Sequence, residues 1–310
     1  MRCLVTGATG HIGSHLVRHL LAHDVRVAVL IRPATKNLWH IEDIINSLYV
    51  ISGDLNDIEN AKAKIQEFTP ELVFHLGWYG VSSQYRNVDQ QIQNLYGGIK
   101  LLDIVYHSGC RRWVGLGSQA EYGIYEGILR EDLPTRPVTF YGTVKLCTCL
   151  LIQRLCEIYK IGFVWLRLLA SYGPMDSTEH IIPSVILNLL NGKKPTLTLG
   201  EQRWDYLYVD DVVKALWKFA VNPEVQGIFN LASGETHTIR SIVECIRDLI
   251  EPNLPLGIGE IPYRPDQVMH LQGDISQLKQ AINWAPSVNI YEGLRKTVEW
   301  FRENSWRYDC

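Results

Sequence analysis

The chain has 310 residues, 46% of them hydrophobic and 20% charged, with a formal net charge of −3. That composition excludes a disordered or fibrous chain and supplies enough apolar surface for one large domain or two fused ones. Near-neutral charge without a long basic run gives no pull toward nucleic acid or an anionic membrane, and no apolar run approaches the length of a membrane span.

The first predicted element is a buried strand, Cys3–Thr6, which runs into Gly7-Ala8-Thr9-Gly10-His11-Ile12-Gly13 and then a helix from Ser14 to Ala22. Glycines spaced by three allow a tight turn after the strand, close approach of a pyrophosphate, and packing of the helix with its amides toward the phosphates. This pattern reads as a dinucleotide site. Because it begins at the start of the sequence, it leaves no room for a signal peptide, and a cytoplasmic protein is expected.

Further apolar runs at Arg26–Ile31, Leu48–Ile51, Leu72–Leu76, Trp113–Leu116 and Gly162–Leu168 read as strands separated by helical segments. Such alternation predicts an α/β, Rossmann-type doubly wound parallel sheet, with ligands gathered at the strand ends. After Leu168 the alternation gives way to loops around Gly173-Pro174, Gly192–Pro195, Glu251–Gly259 and Tyr263-Arg264-Pro265. Residues 1–168 are therefore expected to form the dinucleotide-binding domain and 169–310 mainly a smaller C-terminal substrate-binding lobe. Tyr206–Val209 with Asp210-Asp211 reads as a strand entering a helix, so 205–232 is expected to return to the first domain. The seven cysteines (Cys3, Cys110, Cys147, Cys149, Cys156, Cys245 and Cys310) form no Cys-x-x-Cys pair and lack partners at zinc-ligand spacing. Reduced thiols and no metal are expected.

Two further segments carry chemistry. Tyr141-Gly142-Thr143-Val144-Lys145 places a phenol and an ammonium four residues apart, on one face of a helix. An ammonium near a phenol lowers its pKa from about 10 toward neutrality and makes the pair a usable proton donor and acceptor. Ser118 follows the run Trp113–Leu116, so its hydroxyl is expected at the ligand edge of the sheet, able to polarise a carbonyl.

The glycine turn, Ser118, and Tyr141 with Lys145, in that order, resemble the extended short-chain dehydrogenase/reductase family, specifically its NAD(P)-dependent nucleotide-sugar epimerase/dehydratase branch. The resemblance extends to Asp54-Leu55, His75-Leu76-Gly77-Trp78, Asn94, Arg167 through Tyr172-Gly173-Pro174, Tyr208-Val209-Asp210-Asp211-Val212, Arg264-Pro265, Asn283-Trp284-Ala285-Pro286 and Gly293-Leu294. It implies that Tyr141 exchanges a proton with a sugar C4 oxygen to which Ser118 also hydrogen-bonds. Lys145 would hold the ribose hydroxyls and lower the tyrosine pKa. It further implies a cofactor surface formed by Gly7, Thr9, Gly10, His11, Ile12, Gly13, Arg32, Asp54, Leu55, Leu76, Gly77, Trp78 and Asn94 together with Tyr141 and Lys145. A homodimer through the helices carrying Asn94 and Tyr141 is implied as well.

Four departures narrow the reading. The second strand ends Leu30-Ile31-Arg32-Pro33, without the carboxylate that grips a ribose 2′-hydroxyl; Arg32, with Thr35 or Lys36 nearby, suits a 2′-phosphate, so NADP(H) is preferred with NAD(H) as the alternative. Gln119 and Ala120 stand where 4,6-dehydratases carry an Asp-Glu pair, and Glu121 reads as a structural carboxylate. Ala170 replaces an asparagine that contacts the nucleotide sugar. The diphosphate arginine is displaced to Arg203 in Arg203-Trp204-Asp205, leaving Arg203 and Arg264 as diphosphate candidates.

Tyr79 and Gln119 complete the substrate candidates with Ala170, and Trp78 and Trp204 fall where they can face a ligand. The expected activity is NADPH-dependent reduction of a nucleotide-diphosphate-linked 4-keto-6-deoxy sugar at C4. An NAD-dependent C4 epimerase is the alternative, and a non-catalytic NADP(H)-binding regulator is the reading from a different class.

Overall fold

A computed structural model describes residues 1–35, 37–264 and 267–308. Its centre is a seven-stranded sheet: β1 (Arg2–Thr6), β2 (Arg26–Ile31), β3 (Tyr49–Ser52), β4 (Leu72–His75), β5 (Arg112–Ser118), β6 (Gly162–Leu168) and β7 (Gly227–Leu231). The spatial order is β7-β6-β5-β4-β1-β2-β3, and every neighbouring pair is parallel. Strand order reverses between β1 and β4, which creates a crevice at their carboxyl ends.

The strands are apolar throughout because both faces are covered. In β1, Cys3 and Val5 enter a core with Leu16, Val17 and Leu20 of helix α1 (His11–Ala22). Leu4, pointing the other way, joins a second core with helices α2 (Lys62–Phe68), α3 (Ile92–His107) and α4 (Phe140–Tyr159). The period-two alternation of one strand thus builds both layers.

After β6 the chain forms five more helices, α5 (Ile181–Leu190), α6 (Val209–Val221), α7 (Ile239–Ile250), α8 (Ser276–Ile282) and α9 (Ile290–Asn304), which fall into two groups, one of them building a third core. Helices α5, α7 and α9 pack with Tyr172 and Tyr208. Helices α6 and α8 instead contribute Val212, Leu216, Phe219 and Leu278 to the core beside α1. Leaving α6, the chain enters β7 and extends the sheet beside β6. Two features were not evident as strands in the sequence: β7 itself, and the short four-stranded sheet made by Ile128–Leu129, Arg203–Trp204, His237–Thr238 and His270–Gly273. Among the described residues, no helix is long and apolar enough to cross a membrane.

Candidate active site

A cavity of about 1110 Å³ runs from the β1–α1 turn, past the ends of β4 and β5, to α5 and the short strand Arg203–Trp204. The three glycines of the turn meet different demands. Gly7 adopts φ +74° directly against Gly77, a left-handed conformation that favours glycine. A Cβ at Gly13 would lie 2.0 Å from the Gly7 carbonyl oxygen, so α1 packs straight onto the turn. At Gly10 a Cβ would meet only the Gly7 oxygen at 3.4 Å, so the chain's own packing does not require glycine there.

Gly10 is also the N-cap of α1 and provides no side-chain cap, and the first turn holds no acidic residue. The leading amides of α1 therefore face the cavity beside a position kept small, which fits a dinucleotide pyrophosphate. His11 lines the cavity, but burial holds its imidazole down at about 4 against the opposing charge of Asp176, whose Oδ1 is 3.3 Å from Nδ1. At neutral pH His11 offers its backbone amide to this region rather than a cationic side chain.

Thr9, Ile12, Asp54, Leu55, Leu76, Gly77 and Trp78 also line the cavity, as does Asn94. Asn94 is buried and accepts from the Tyr79 amide at 2.8 Å while donating to the Tyr79 carbonyl at 3.1 Å, so it fixes the loop after β4. Arg32 is exposed at the end of β2, with Thr35 beside it on the cavity wall. Lys36 and Pro265, which entered the sequence reading, lie outside the described residues.

Ser118 ends β5 and caps the short helical turn Gln119–Glu121. Its Oγ accepts from the Ala120 amide at 3.2 Å, while Glu121 Oε1 accepts from the Ser118 amide at 2.9 Å. Glu121 is fully buried and also receives Trp165 Nε1 at 2.9 Å and Arg167 Nε at 2.8 Å. With its oxygens engaged this way, Glu121 anchors the end of β5 to β6. Helix α4 then approaches closely because residue 142 is glycine: a Cβ there would lie 2.4 Å from the Ala120 carbonyl oxygen. That approach sets Tyr141 against the Ser118 turn.

Tyr141 and Lys145, four residues apart on α4, are both buried and line the cavity. Lys145 Nζ donates to the Leu116 carbonyl at 2.7 Å and sits 3.7 Å from the centroid of the Trp78 ring. Burial lowers the ammonium from its ordinary 10.5 to about 7, although Glu121 opposes the shift. Burial likewise raises Tyr141 above its ordinary value, with the Ser118 hydroxyl and the Arg86 charge opposing. The lowered phenol expected from a Tyr-x-x-x-Lys pair is thus absent here, because desolvation outweighs the Ser118 hydrogen bond and the Arg86 charge. Tyr141 is a neutral phenol at pH 7, suited to donating its proton.

Gln119, Ala170 and Arg264 line the cavity, as does Tyr79, whose ring is exposed and lies against Tyr85 at 5.8 Å rather than against Tyr141. Arg203 does not reach it. Alternation along the strand turns Trp204 inward, where its Nε1 donates to the Val268 carbonyl at 2.9 Å, and turns Arg203 outward onto Thr236. Buried Asp205 fixes this phase by accepting from the amides of Ser233, Gly234 and Gly273. Trp204 therefore occupies the wall where sequence order had suggested an arginine. Arg86, Asp176, His180 and Tyr206 also line the cavity and were not singled out as site residues from sequence, since all four lie on irregular segments that show no period. Among the described residues, no cluster of His, Cys, Asp and Glu is arranged to hold a metal ion.

The sequence profile of the NAD dependent epimerase/dehydratase family matches residues 3–232. The chain belongs to that family. Over 98% of its length it is 28% identical to a UDP-glucose 4-epimerase of Mycolicibacterium smegmatis, of which it covers 100%. It is 27% identical to a dTDP-glucose 4,6-dehydratase of Haemophilus influenzae, covering 98% of this chain and 99% of that one. Among solved structures, the Thermus thermophilus UDP-glucose 4-epimerase in complex with NAD superposes with a TM-score of 0.87 at 28% identity, covering 97% and 99% of the two chains. The Rossmann-type α/β fold and membership in a family of NAD-dependent nucleotide-sugar enzymes are thereby established.

Proposed function

We propose that this family member reduces a nucleotide-diphosphate-linked 4-keto-6-deoxy sugar at C4, with NADPH as the preferred reductant. The observation that carries the reading is the convergence of Ser118 with a buried, protonated Tyr141 and Lys145 at the ends of β5 and α4. Arg32 at the end of β2, with no acidic residue in that position, supports the phosphorylated cofactor.

When bound, the nicotinamide cofactor supplies the hydride, and its binding surface is the glycine turn, Arg32, Asp54-Leu55, the end of β4, and Lys145. The chain's own residues carry the rest. Ser118 donates a hydrogen bond to the substrate C4 oxygen, polarising the carbonyl. Tyr141 delivers its proton to that oxygen as negative charge develops there, and Lys145 carries compensating positive charge on the same helix face. Gln119 and Ala120 cannot transfer protons to or from C5 and C6, which argues against the 4,6-dehydration named for several relatives. Cavity-lining Gln119, Ala170, Tyr79 and Arg264 are assigned to the substrate side.

A homodimer through α3 and α4 accords with their exposed Tyr96, Leu150, Leu151 and Ile158, and a cytoplasmic setting accords with the free thiols among the described residues. The second reading, an NAD-dependent C4 epimerase, is favoured by the NAD-bound epimerase superposition. Dissociation constants of cofactor-stripped protein for NADPH and NADH, followed by tryptophan fluorescence, separate the two. Clear NADPH preference supports the reductase; tight NAD(H) binding with little NADPH response supports the epimerase and removes the role of Arg32.

A further inference from the structure

Tyr141 is flanked by a second cation besides Lys145. The Arg86 guanidinium lies over its ring with Cζ 5.5 Å from the centroid, and Arg86 lines the cavity. Lys145 Nζ is 5.9 Å from the same centroid, on the helix's own face. Among the described residues, no carboxylate lies within ion-pairing distance of Arg86, although it contributes its charge to both Tyr141 and His180.

The placement of Arg86 is fixed by the helix it serves. The first amides of an α-helix lack intrahelical partners, and at α4 three of them find partners nearby. Thr139 Oγ1 accepts from the Gly142 amide at 3.1 Å, Asn87 Oδ1 from the Phe140 amide at 3.0 Å, and the Arg86 carbonyl from the Tyr141 amide at 2.8 Å. Arg86 Nε also donates to the Val81 carbonyl at 3.3 Å. The backbone bond that completes the cap of α4 thus holds the guanidinium's own residue beside the phenol.

We propose that Arg86 is a positioning residue for proton transfer at Tyr141, stabilising the negative charge left on the phenol oxygen when its proton passes to the substrate C4 oxygen. In that step the O–H bond of Tyr141 breaks, a new O–H bond forms on the sugar, and the phenolate remains between Arg86 and Lys145. Two features make Arg86 the steadier of the two cations. A guanidinium is planar, delocalised and more weakly hydrated than an ammonium, and the Arg86 side chain is half-buried, whereas Lys145 is buried among Trp78, Leu116 and Tyr141. The groups facing the phenol are therefore Ser118 and, behind it, Glu121 from the end of β5, Lys145 from α4, and Arg86 from the segment before α3.

This inference rests on Tyr141 as proton donor, but its test needs no substrate, so its failure is distinguishable from failure of the proposed reaction. The whole chain is made with 3-nitrotyrosine at position 141, whose phenolate absorbs in the visible and ionises near neutral pH. Its ionisation midpoint is measured with Arg86, with Arg86→Met and with Arg86→Lys, alongside near-ultraviolet circular dichroism to verify the fold. His180 and Lys145 are present in all three proteins, and because Arg86 also acts on His180, Arg86→Lys, which keeps the charge, serves as the reference for Arg86→Met. The Arg86→Met midpoint is expected to rise by about one pH unit, the size a unit charge produces at that distance in a partly hydrated cleft. Arg86→Lys, which keeps the charge, is expected to restore most of the shift. An unchanged midpoint in folded Arg86→Met overturns the proposal, as does an equal rise in both variants, which would assign the effect to side-chain shape. If Arg86→Met does not fold, Arg86→Gln, which removes the charge but keeps a polar side chain, takes its place: a rise of about one pH unit supports the proposal, and an unchanged midpoint overturns it.

Discussion

Replacing Gly10 and Gly13 separately by alanine distinguishes a glycine kept for a ligand from one kept for the fold. At Gly13 the new methyl group would meet Gly7 O at 2.0 Å, Gly7 C at 2.7 Å and the Ala8 Cα at 2.8 Å, all backbone atoms that cannot swing aside. The turn and α1 must separate, at a cost at or above the upper end of the usual overpacking range, about 3 kcal/mol. With an unfolding entropy of about 2.1 cal/mol/K per residue, a 310-residue chain has roughly 0.65 kcal/mol/K, so the melting temperature should fall by about 5 °C. At Gly10 the single neighbour lies 3.4 Å away and φ is −91°, which alanine adopts freely, so stability should stay within about 0.5 kcal/mol. The methyl group instead projects toward the pyrophosphate position, and the dissociation constant for NADPH should rise about 10–100-fold, or roughly 1.4–2.8 kcal/mol. Differential scanning fluorimetry and fluorescence titration on the same preparations read both effects. Unchanged NADPH affinity in Gly10→Ala, or wild-type stability in Gly13→Ala, would refute the reasoning.

Four other outcomes follow from the same geometry. Tyr141→Phe should leave cofactor affinity within a few-fold of wild type and lower turnover by about 10²–10⁴-fold, measured by steady-state kinetics. Arg32→Asp should weaken NADPH at least about tenfold more than NADH in fluorescence titrations, since a carboxylate repels a 2′-phosphate; matched losses would remove the argument. Glu121→Gln strands the buried Arg167 guanidinium and should cost about 3–5 kcal/mol in denaturant unfolding. Lys145 has a folded-state value of about 7 against 10.5 ordinarily, so the unfolded chain binds more protons between those values. Stability of the wild type relative to Lys145→Met should therefore rise as pH increases from about 7 to about 10.5, and a flat difference across that window would contradict the burial effect.

The parts of the fold written in long uninterrupted apolar runs were legible from sequence. Arg26–Ile31 and Gly162–Leu168 appear with the bounds read from sequence, because each is a full strand with most residues buried. The strand ending at Leu116 in that reading continues to Ser118, since Gly117 and Ser118 stay paired with Arg167 and Leu168. Gly227–Leu231 was not singled out: five residues with a buried asparagine whose amide donates to Leu129 do not announce a strand. The gathering of Ser118, Tyr141 and Lys145 was legible because a strand end and an i, i+4 helical pair suffice to place them. The orientation of Arg203 and Trp204 was not, because a two-residue strand takes its phase from the tertiary hydrogen bonds of Asp205. Arg86 was invisible for a similar reason, since its place comes from capping α4 across 55 residues of sequence, from 86 to 141.

The most direct test of the central claim is net hydride transfer. Purified enzyme is incubated with NADPH deuterated at the transferable position and a nucleotide-diphosphate-linked 4-keto-6-deoxy sugar, and both oxidised cofactor and labelled product are quantified. The account predicts one NADPH consumed per sugar reduced, with deuterium at C4, and loss of both in Tyr141→Phe. Interconversion of C4 epimers of a nucleotide sugar with no net NADPH consumption would contradict it.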